Sequence, residues 1–304
     1  MTYATTNSGY YAVMRYHGTV VRPPSEADSY ILQVTYGCSH NRCAFCGTYR
    51  DKPFRTRAME EVLEDVALAG ERHPETRRVF LADGNAMVLG TRRLGAILDA
   101  LAGAFPLLRR VGIYANARDI LEKSEADLAM LHEKRLEIVY LGLESGSDEV
   151  LRRVQKNATA AEMIEAVQKA QRAGLRASVI ALLGLGGAEL SARHAEETGR
   201  VVNAMDPHYL SMLTLMLVPG TELHRQWQER TFRMMGPEEM LAELRAMLVH
   251  LDGLSRCVFR TNHASNYVPL AGTLSRDKDK LLATLDRALA EGRSAFRPEY
   301  WRAL

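Results

Sequence analysis

Strand-like and helix-like segments alternate along most of this chain of 304 residues. Runs rich in β-branched and aromatic residues, each ended by glycine or polar residues, indicate strands at residues 30–36, 78–82, 110–114, 137–141, 176–183 and 209–217. Helical patterns lie between and after them, at residues 59–72, 94–104, 122–133, 160–173, 192–204 and 237–251. Strands separated by helices form parallel sheets through right-handed crossovers, so an α/β fold is predicted.

The polar and glycine-bearing clusters of the sequence fall at the carboxyl ends of the predicted strands. A barrel of alternating strands and helices collects its active site at that end. We therefore predict a partial (β/α)6 barrel of the TIM type, with a doubly wound open sheet as the alternative. A strand-like run at residues 257–261 and a helix at residues 276–291 are expected to extend this fold.

Three parts are predicted within one domain. Residues 1–29 form an irregular leader in which Arg22-Pro23-Pro24 excludes a helix or a central strand. This leader is expected to lie across the outside of the core. Residues 30–220 form the barrel core, and residues 221–304 form an extension that packs on it.

Composition and charge limit the classes of function. The chain is 47% hydrophobic and 25% charged, and no apolar run reaches the ~18 residues that a membrane helix needs. The polar residues 1–11 do not resemble a secretory signal, and the cysteines show no spacing typical of disulfides, so a cytoplasmic location is expected. A net charge of +2 argues against a duplex-DNA binder, although a local basic patch can attract an anionic partner.

Three of the four cysteines fall in one short stretch, Cys38-Ser39-His40-Asn41-Arg42-Cys43-Ala44-Phe45-Cys46, after the first predicted strand. Thiolates are soft ligands, so this spacing indicates zinc or an iron–sulfur cluster. Three thiolates on a cubane cluster leave one iron open for another ligand. The alternatives are a closed zinc site completed by His40 and a set of ordinary buried thiols. The long surrounding chain favours the cluster, because structural zinc sites are typical of small domains that fold around the metal.

Polar or glycine-rich turns follow the next four predicted strands. They are Asp83-Gly84-Asn85, then Asn116 with Arg118, then Glu144-Ser145-Gly146-Ser147, and then Gly184-Leu185-Gly186-Gly187-Ala188-Glu189. The first is suited to holding ammonium and carboxylate groups, and Glu144 is suited to accepting hydrogen bonds from sugar hydroxyls. The last lets a backbone approach a flat ring closely. Asn116 and Arg118 are further candidate cofactor contacts. The same residue types are also common in turns and helix caps that have only a structural role.

In this order, the motifs resemble the radical S-adenosylmethionine superfamily, especially the branch that contains the Elongator catalytic subunit and the methylthiotransferases. The resemblance extends over residues 30–217. It implies a [4Fe–4S] cluster held by Cys38, Cys43 and Cys46, with Phe45 as the aromatic residue before the last ligand.

The resemblance also implies the contacts to S-adenosylmethionine. Asp83-Gly84-Asn85 corresponds to the turn that receives the methionine amino group, and Glu144 and Ser145 correspond to the ribose contact. The adenine contact corresponds to Ile180 and the turn at residues 184–189, which includes Gly184 and Gly186. The cysteine spacing is one residue longer than the commonest one in the superfamily. The amino-group turn lacks its usual acidic third residue, so Asp83 is expected to supply the carboxylate.

Such a resemblance implies radical chemistry: one electron cleaves S-adenosylmethionine, and the 5′-deoxyadenosyl radical takes a hydrogen atom from a substrate. An external one-electron donor of the flavodoxin or ferredoxin type is implied. The basic residues Arg42, Arg50, Lys52, Arg55 and Arg57 are a candidate docking surface for an acidic donor or a substrate phosphate. A solvated basic face is the more ordinary role for such residues.

Substrate contacts are expected from the last predicted strand and the loops after it. His263 is the candidate for proton chemistry, and Cys257 is either a hydrogen-atom donor or nucleophile or, more ordinarily, a buried thiol. The other candidates are Ser211, Thr214, Glu222, Arg260, Asn262, Ser265, Asn266 and Tyr267. The alternatives to an enzyme with an unidentified substrate are a radical enzyme that modifies RNA and a non-catalytic zinc or iron–sulfur protein.

Overall fold

A computed structural model describes residues 15–303. Residues 1–14 of the predicted leader lie outside the described residues. The strands are β1 Tyr30–Gln33, β2 Thr35–Tyr36, β3 Arg55–Thr56, β4 Arg78–Ala82, β5 Arg110–Ala115, β6 Leu136–Glu144, β7 Arg176–Leu183, β8 Tyr209–Thr214, β9 Val258–Arg260 and β10 Ala271–Thr273. The helices are α1 Met59–Arg72, α2 Thr91–Ala104, α3 Ala117–Leu121, α4 Glu125–Glu133, α5 Asp148–Arg153, α6 Ala160–Arg172, α7 Gly187–Met205, α8 Glu222–Gln228, α9 Pro237–Val249 and α10 Leu274–Glu291.

Eight strands form one sheet in the order β1-β4-β5-β6-β7-β8-β9-β10. Neighbouring strands are parallel, except that β10 runs antiparallel to β9. Within residues 15–303 the edge strands β1 and β10 do not pair with each other, so the barrel is open. The predicted α/β fold with a parallel, partial barrel is confirmed. None of the helices in the described part of the chain has the length and hydropathy needed to cross a bilayer.

Successive residues of each strand face opposite sides of the sheet. In β4, Val79 and Leu81 belong to the large core that the sheet shares with the helices. Phe80 and Ala82 belong to a smaller cluster on the other face, which we call the lumen cluster; its buried members are Ile31, Phe80, Ala82, Ile138 and Tyr140. Burial on both faces explains why the strands read as nearly continuous apolar runs.

The described part of the leader, residues 15–29, does not lie outside the core as predicted. Tyr16 and Val20 pack against the lumen cluster, and Glu26 is fully buried. The Tyr16 hydroxyl donates to the main-chain oxygen of Ile31 at 2.9 Å, and the Glu26 carboxylate pairs with Arg110 at 3.1 Å. An open barrel leaves apolar lumen surface exposed, and covering such surface is favourable by about 25 cal/mol per Å². The leader therefore supplies part of the lumen filling.

Candidate functional site

The three clustered cysteines share one electrostatic environment. Cys38, Cys43 and Cys46 are partly exposed free thiols on a single loop. Burial raises the pKa of the Cys43 thiol to about 11, against the opposing charge of Lys156, and the Cys46 and Cys38 thiols add to the rise. Three thiols on one loop are suited to a cluster in which each binds a different iron atom, and such binding would release their protons.

Main-chain hydrogen bonds fix the cysteine loop between two helices. The Ala44 amide donates to the oxygen of Val154 at 2.9 Å, and the Ala44 oxygen accepts from the amide of Leu223 at 2.9 Å. Phe45 packs on an apolar group that we call the mouth cluster, whose buried members are Ala44, Val150, Val154, Leu185, Leu215 and Leu223. The loop is therefore held by the end of α5 and the start of α8, and Phe45 has a packing role beside the last cysteine.

His40 is anchored beside the cysteine loop through one ring nitrogen. Its Nε2 donates to the main-chain oxygen of Gln155, with the two atoms 2.7 Å apart. Because a carbonyl oxygen only accepts, Nε2 carries the proton, and Nδ1 is the ring nitrogen that keeps a lone pair. In residues 15–303, no three His, Cys, Asp or Glu side chains converge closely enough to hold one metal ion. A cubane cluster differs in that each thiolate binds a different iron atom.

Asp83 is a buried carboxylate with one oxygen fully engaged and the other free. Oδ2 accepts hydrogen bonds from Lys52 Nζ at 2.7 Å, Gln33 Nε2 at 3.2 Å and the Gly37 amide at 3.0 Å. Oδ1 is buried and accepts no hydrogen bond from the described residues. Leaving a buried acceptor unpaired costs about 1–3 kcal/mol. Asp83 is therefore suited to binding a cationic group through Oδ1.

Gly84 brings this turn against the cysteine loop. A Cβ added at Gly84 would lie 2.6 Å from the ring of Tyr49 and 2.9 Å from the Cβ of Cys38. Burial and then the Asp83 carboxylate hold the pKa of Tyr49 well above its ordinary value, as expected for neighbours of a buried anion. Only a glycine permits this approach of the turn to Cys38.

Asn85 has its side-chain hydrogen bonds within the protein. Nδ2 donates to Ser39 Oγ at 2.7 Å and to Asp119 Oδ2 at 2.6 Å, and Oδ1 accepts from the amide of Asn116 at 3.0 Å. Asn85 is 0% exposed. These bonds give Asn85 a positioning role, because they tie the cysteine loop to β4 and α3, and its contact with S-adenosylmethionine stays a prediction.

Glu144 forms an ion pair beside the cysteine loop. Its Oε1 lies 3.1 Å from Nζ of Lys156. Burial by itself lowers the pKa of Lys156, but the Glu144 carboxylate and the thiols of Cys43 and Cys38 outweigh it, so the pKa is raised. Arg118 is exposed. Burial lowers the pKa of His40, and the charge of Arg118 adds to this effect, so Arg118 lies at the same end of the sheet as the cysteine loop. Lys156 was missed from the sequence, where it belongs to no motif.

Ser145 fixes the turn after β6 to α7. Its hydroxyl donates to Nδ1 of His194 at 2.7 Å and accepts from the Ser147 amide at 3.0 Å. The Gly146 amide donates to Thr198 Oγ1 at 2.9 Å. Ser145 is 0% exposed and its hydroxyl is engaged by these bonds; its ribose contact stays a prediction. His194 and Thr198 were missed from the sequence because they lie in the middle of a helix.

Helix α9 covers the glycine-rich turn after β7. Gly184 has φ +81°, and a Cβ there would clash with the end of the Met240 side chain. The Gly184 amide donates to Oε1 of Glu243 at 2.6 Å. The Met240 side chain and the Glu243 carboxylate of α9 therefore pack against Gly184, and its adenine contact stays a prediction. Gly186 is partly buried at the start of α7, and Ile180 is partly exposed on β7.

Cys257 and His263 lie in different surroundings. Cys257 is fully buried in the core shared with the helices, before the amino end of β9, and burial raises its pKa to about 12. It is thus not brought to the strand ends that carry the cysteine loop. His263 follows the carboxyl end of β9; its Nδ1 accepts from the Ser265 amide at 3.1 Å, and burial and then Arg297 lower its pKa. His263 is therefore neutral with its proton on Nε2.

Four predicted substrate contacts are buried by contacts within the protein: Thr214, Ser265, Asn266 and Tyr267. Ser211 and Thr214 lie an odd number of residues apart on β8, so they face opposite sides of the sheet. Ser211 is partly exposed, and it is paired with Ile180 on β7 and with Arg260 on β9. The Thr214 hydroxyl instead donates to Asn266 Oδ1 at 2.8 Å and ties the loop after β9 to β8.

Two members of the predicted basic docking surface are not on the surface. Lys52 and Arg57 are each 2% exposed, and they pair with Asp83 and Asp65, both at 2.7 Å. Arg42 and Arg55 are exposed, and so is Arg50, whose guanidinium donates to the main-chain oxygen of Cys46. The sequence does not separate buried from exposed basic residues, since the distinction depends on partners far along the chain.

The sequence model of the Radical SAM superfamily matches residues 32–196. The chain belongs to the radical SAM superfamily. Members of this superfamily cleave S-adenosylmethionine reductively with an iron–sulfur cluster. No curated protein sequence matches the chain.

Several solved structures of radical SAM proteins share the fold. Coproporphyrinogen III oxidase from Escherichia coli is 16% identical with a TM-score of 0.54, over 75% of this chain and 53% of that one. Methylornithine synthase is 16% identical with a TM-score of 0.51, over 88% and 85% of the two chains. The archaeal Elp3 from Methanocaldococcus infernus is 14% identical with a TM-score of 0.52, over 84% and 63%. This chain spans about half the length of the first solved structures that it matches.

Proposed function

We propose that this protein is a radical SAM enzyme whose [4Fe–4S] cluster is held by Cys38, Cys43 and Cys46. When bound, the cluster and S-adenosylmethionine supply reductive cleavage and a 5′-deoxyadenosyl radical that takes a hydrogen atom from a substrate. One observation carries the proposal: three free thiols lie on one loop, and the turn that carries Asp83, whose buried Oδ1 has no donor among the described residues, approaches Cys38 through Gly84.

The residues at this end of the sheet fit the two cofactors. Soft thiolates are the ligands of iron–sulfur clusters, and three of them leave one iron open. The free Oδ1 of Asp83 is an acceptor for an ammonium group such as that of methionine. Gly84 keeps the turn that carries Asp83 close to Cys38.

The chain's own residues would orient the ligand and exclude water. Asp83 would accept hydrogen bonds through Oδ1, and Glu144, held by Lys156, would accept through a carboxylate at the end of β6. Phe45 and the mouth cluster would exclude water from one side of the cysteine loop. His263 holds a proton on Nε2 at the end of β9 and is our candidate for proton chemistry.

We propose that the external one-electron donor, of the flavodoxin or ferredoxin type, docks on Arg42, Arg50 and Arg55. These arginines are exposed around the cysteine loop and suit an acidic partner. A reducing compartment such as the cytoplasm would keep the three thiols free. The division into a core, residues 30–220, and an extension, residues 221–304, stays a prediction; the extension supplies β9 and β10 to the same sheet.

The test is formation of 5′-deoxyadenosine by protein that has been purified without oxygen and reconstituted with iron and sulfide. Wild-type protein with dithionite and S-adenosylmethionine is expected to form it, and Cys43→Ala is expected to form none. Cys257→Ala is the matched control, because that thiol lies in the helix-side core, and it should keep the activity. Protein that carries zinc and forms no 5′-deoxyadenosine would contradict the proposal.

A further inference from the structure

Lys52 joins the leader to the turn that carries Asp83. Its Nζ donates to Oδ2 of Asp83 at 2.7 Å, to the main-chain oxygen of His17 at 3.3 Å, and to the main-chain oxygen of Thr19. An ammonium group has three N–H donors, so each has a partner within the protein. A lysine buried to this extent is tolerated when its charge is paired and its donors are satisfied.

Gln33 forms a second link between the same two segments. Its Oε1 accepts from the amide of His17 at 2.9 Å, and its Nε2 donates to the oxygen of His17 at 3.2 Å and to Oδ2 of Asp83 at 3.2 Å. The side-chain amide thus bonds to both main-chain groups of His17 and donates its remaining hydrogen to Asp83. Gln33 is 1% exposed, so these bonds are shielded from water.

Three further features seat the leader independently of Asp83. The Tyr16 hydroxyl is bonded to Ile31, and Val20 packs on the lumen cluster. Gly18 has φ +65°, and a Cβ there would lie 3.0 Å from the aliphatic chain of Lys52. Residues 16–20, which we call the strap, are therefore shaped to fit over Lys52.

We propose that the strap positions Asp83 for its ligand. Seated in the lumen, it holds Lys52 and Gln33 on Oδ2, which fixes the carboxylate and leaves Oδ1 for a cationic group. This inference rests on the proposed function, in which that group is the ammonium of S-adenosylmethionine. Coupling between two sites is reciprocal. A ligand on Oδ1 should therefore stabilise the seated strap, and loosening the strap should weaken binding of the ligand.

The test measures binding without turnover. Reconstituted protein is titrated with S-adenosylmethionine in the absence of reductant, and hydrogen exchange of peptides that cover residues 15–26 is followed by mass spectrometry. We expect S-adenosylmethionine to slow exchange in the strap. Gly18→Ala strains the strap and presses on the aliphatic chain of Lys52 while keeping Lys52 and Asp83 themselves. It is expected to raise the Kd about tenfold, with iron content unchanged.

Gly253→Ala is the matched control, because Gly253 also has a positive φ, +74°, and a Cβ there would meet nothing within 4 Å. It should bind S-adenosylmethionine as the wild type does. Lys52→Arg keeps the charge and should bind more tightly than Lys52→Met. Equal Kd values for Gly18→Ala and Gly253→Ala, or strap exchange unaffected by S-adenosylmethionine, would overturn the inference while 5′-deoxyadenosine formation by the wild type still supports the proposed function. A wild type that binds S-adenosylmethionine and slows strap exchange without forming 5′-deoxyadenosine would contradict the function alone.

Discussion

Nε2 of His194 and Oε1 of Glu243 lie 3.7 Å apart, and both side chains are 0% exposed. Burial lowers the pKa of His194 to about 4 and raises the pKa of Glu243 to about 7. Between these values both groups are uncharged. The Ser145 hydroxyl donates to His194 and the Gly184 amide donates to Glu243, so the pair ties together the turns after β6 and β7.

The two groups are expected to make opposite contributions to the pH dependence of stability. His194 binds its proton more weakly in the folded state than at its ordinary pKa of 6.5, so its contribution to the free energy of unfolding rises with pH between about 4 and 6.5. Glu243 holds its proton more strongly than at its ordinary pKa of 4.5, so its contribution falls between about 4.5 and 7. In wild-type protein the combined contribution of this pair to the free energy of unfolding should therefore depend only weakly on pH.

Single substitutions should expose each contribution. In Glu243→Gln, the free energy of unfolding is expected to rise by on the order of 3 kcal/mol from pH 4 to 6.5, and in His194→Gln it should fall with rising pH. Urea unfolding across this range measures both, with Glu60→Gln on the exposed face of α1 as a control for the lost charge. Parallel pH profiles for the two variants would contradict this assignment.

Gly84→Ala is expected to impair cluster assembly. The new methyl group would press on Tyr49 and on Cys38, at a cost of about 1–3 kcal/mol for overpacking. Iron bound after reconstitution should fall well below the wild-type value. Gly103→Ala in α2 is the control, because a Cβ there meets nothing within 4 Å, and it should raise stability by about 0.5–1 kcal/mol. Equal iron contents in the two variants would show that the turn does not need its close approach to Cys38.

Charge reversal at Arg42 and Arg55 is expected to slow electron delivery. With a flavodoxin as donor, Arg42→Glu/Arg55→Glu should form 5′-deoxyadenosine about tenfold more slowly at low salt, and the difference should shrink as salt screens the charges. Dithionite is small and needs no docking surface, so its rate should not change. Arg256→Glu, an exposed arginine before the amino end of β9, is the control. An equal loss with dithionite would place the effect at the cluster rather than in docking.

Local patterns were sufficient for most of the fold. Helix α1 and strand β7 have the predicted bounds, Met59–Arg72 and Arg176–Leu183, because amphipathic period and strand composition are local properties. Helix α7 begins at Gly187, five residues before the predicted start, since its glycine-rich first turn has low helix propensity. The predicted strand over residues 209–217 ends at Thr214, whose hydroxyl donates to Asn266 in the loop after β9.

The site was predictable where one short motif carries it and not where distant residues meet. The cysteine spacing and the Asp83 turn are visible in the sequence. The pairing of Lys52 with Asp83 and the cover of Gly184 by Met240 depend on tertiary contacts that no local pattern encodes. The placement of Tyr16 and Val20 against the lumen cluster could not be predicted, because the apolar residues of the leader show no helix or strand period.

The central claim is that Cys38, Cys43 and Cys46 hold a cluster with one iron open to S-adenosylmethionine. Electron paramagnetic resonance of the reduced, reconstituted protein tests it most directly. The predicted result is a [4Fe–4S]⁺ signal whose g values change when S-adenosylmethionine is added, and which Cys43→Ala lacks. A signal that is unchanged by saturating S-adenosylmethionine, or the same signal in Cys43→Ala, would contradict the claim.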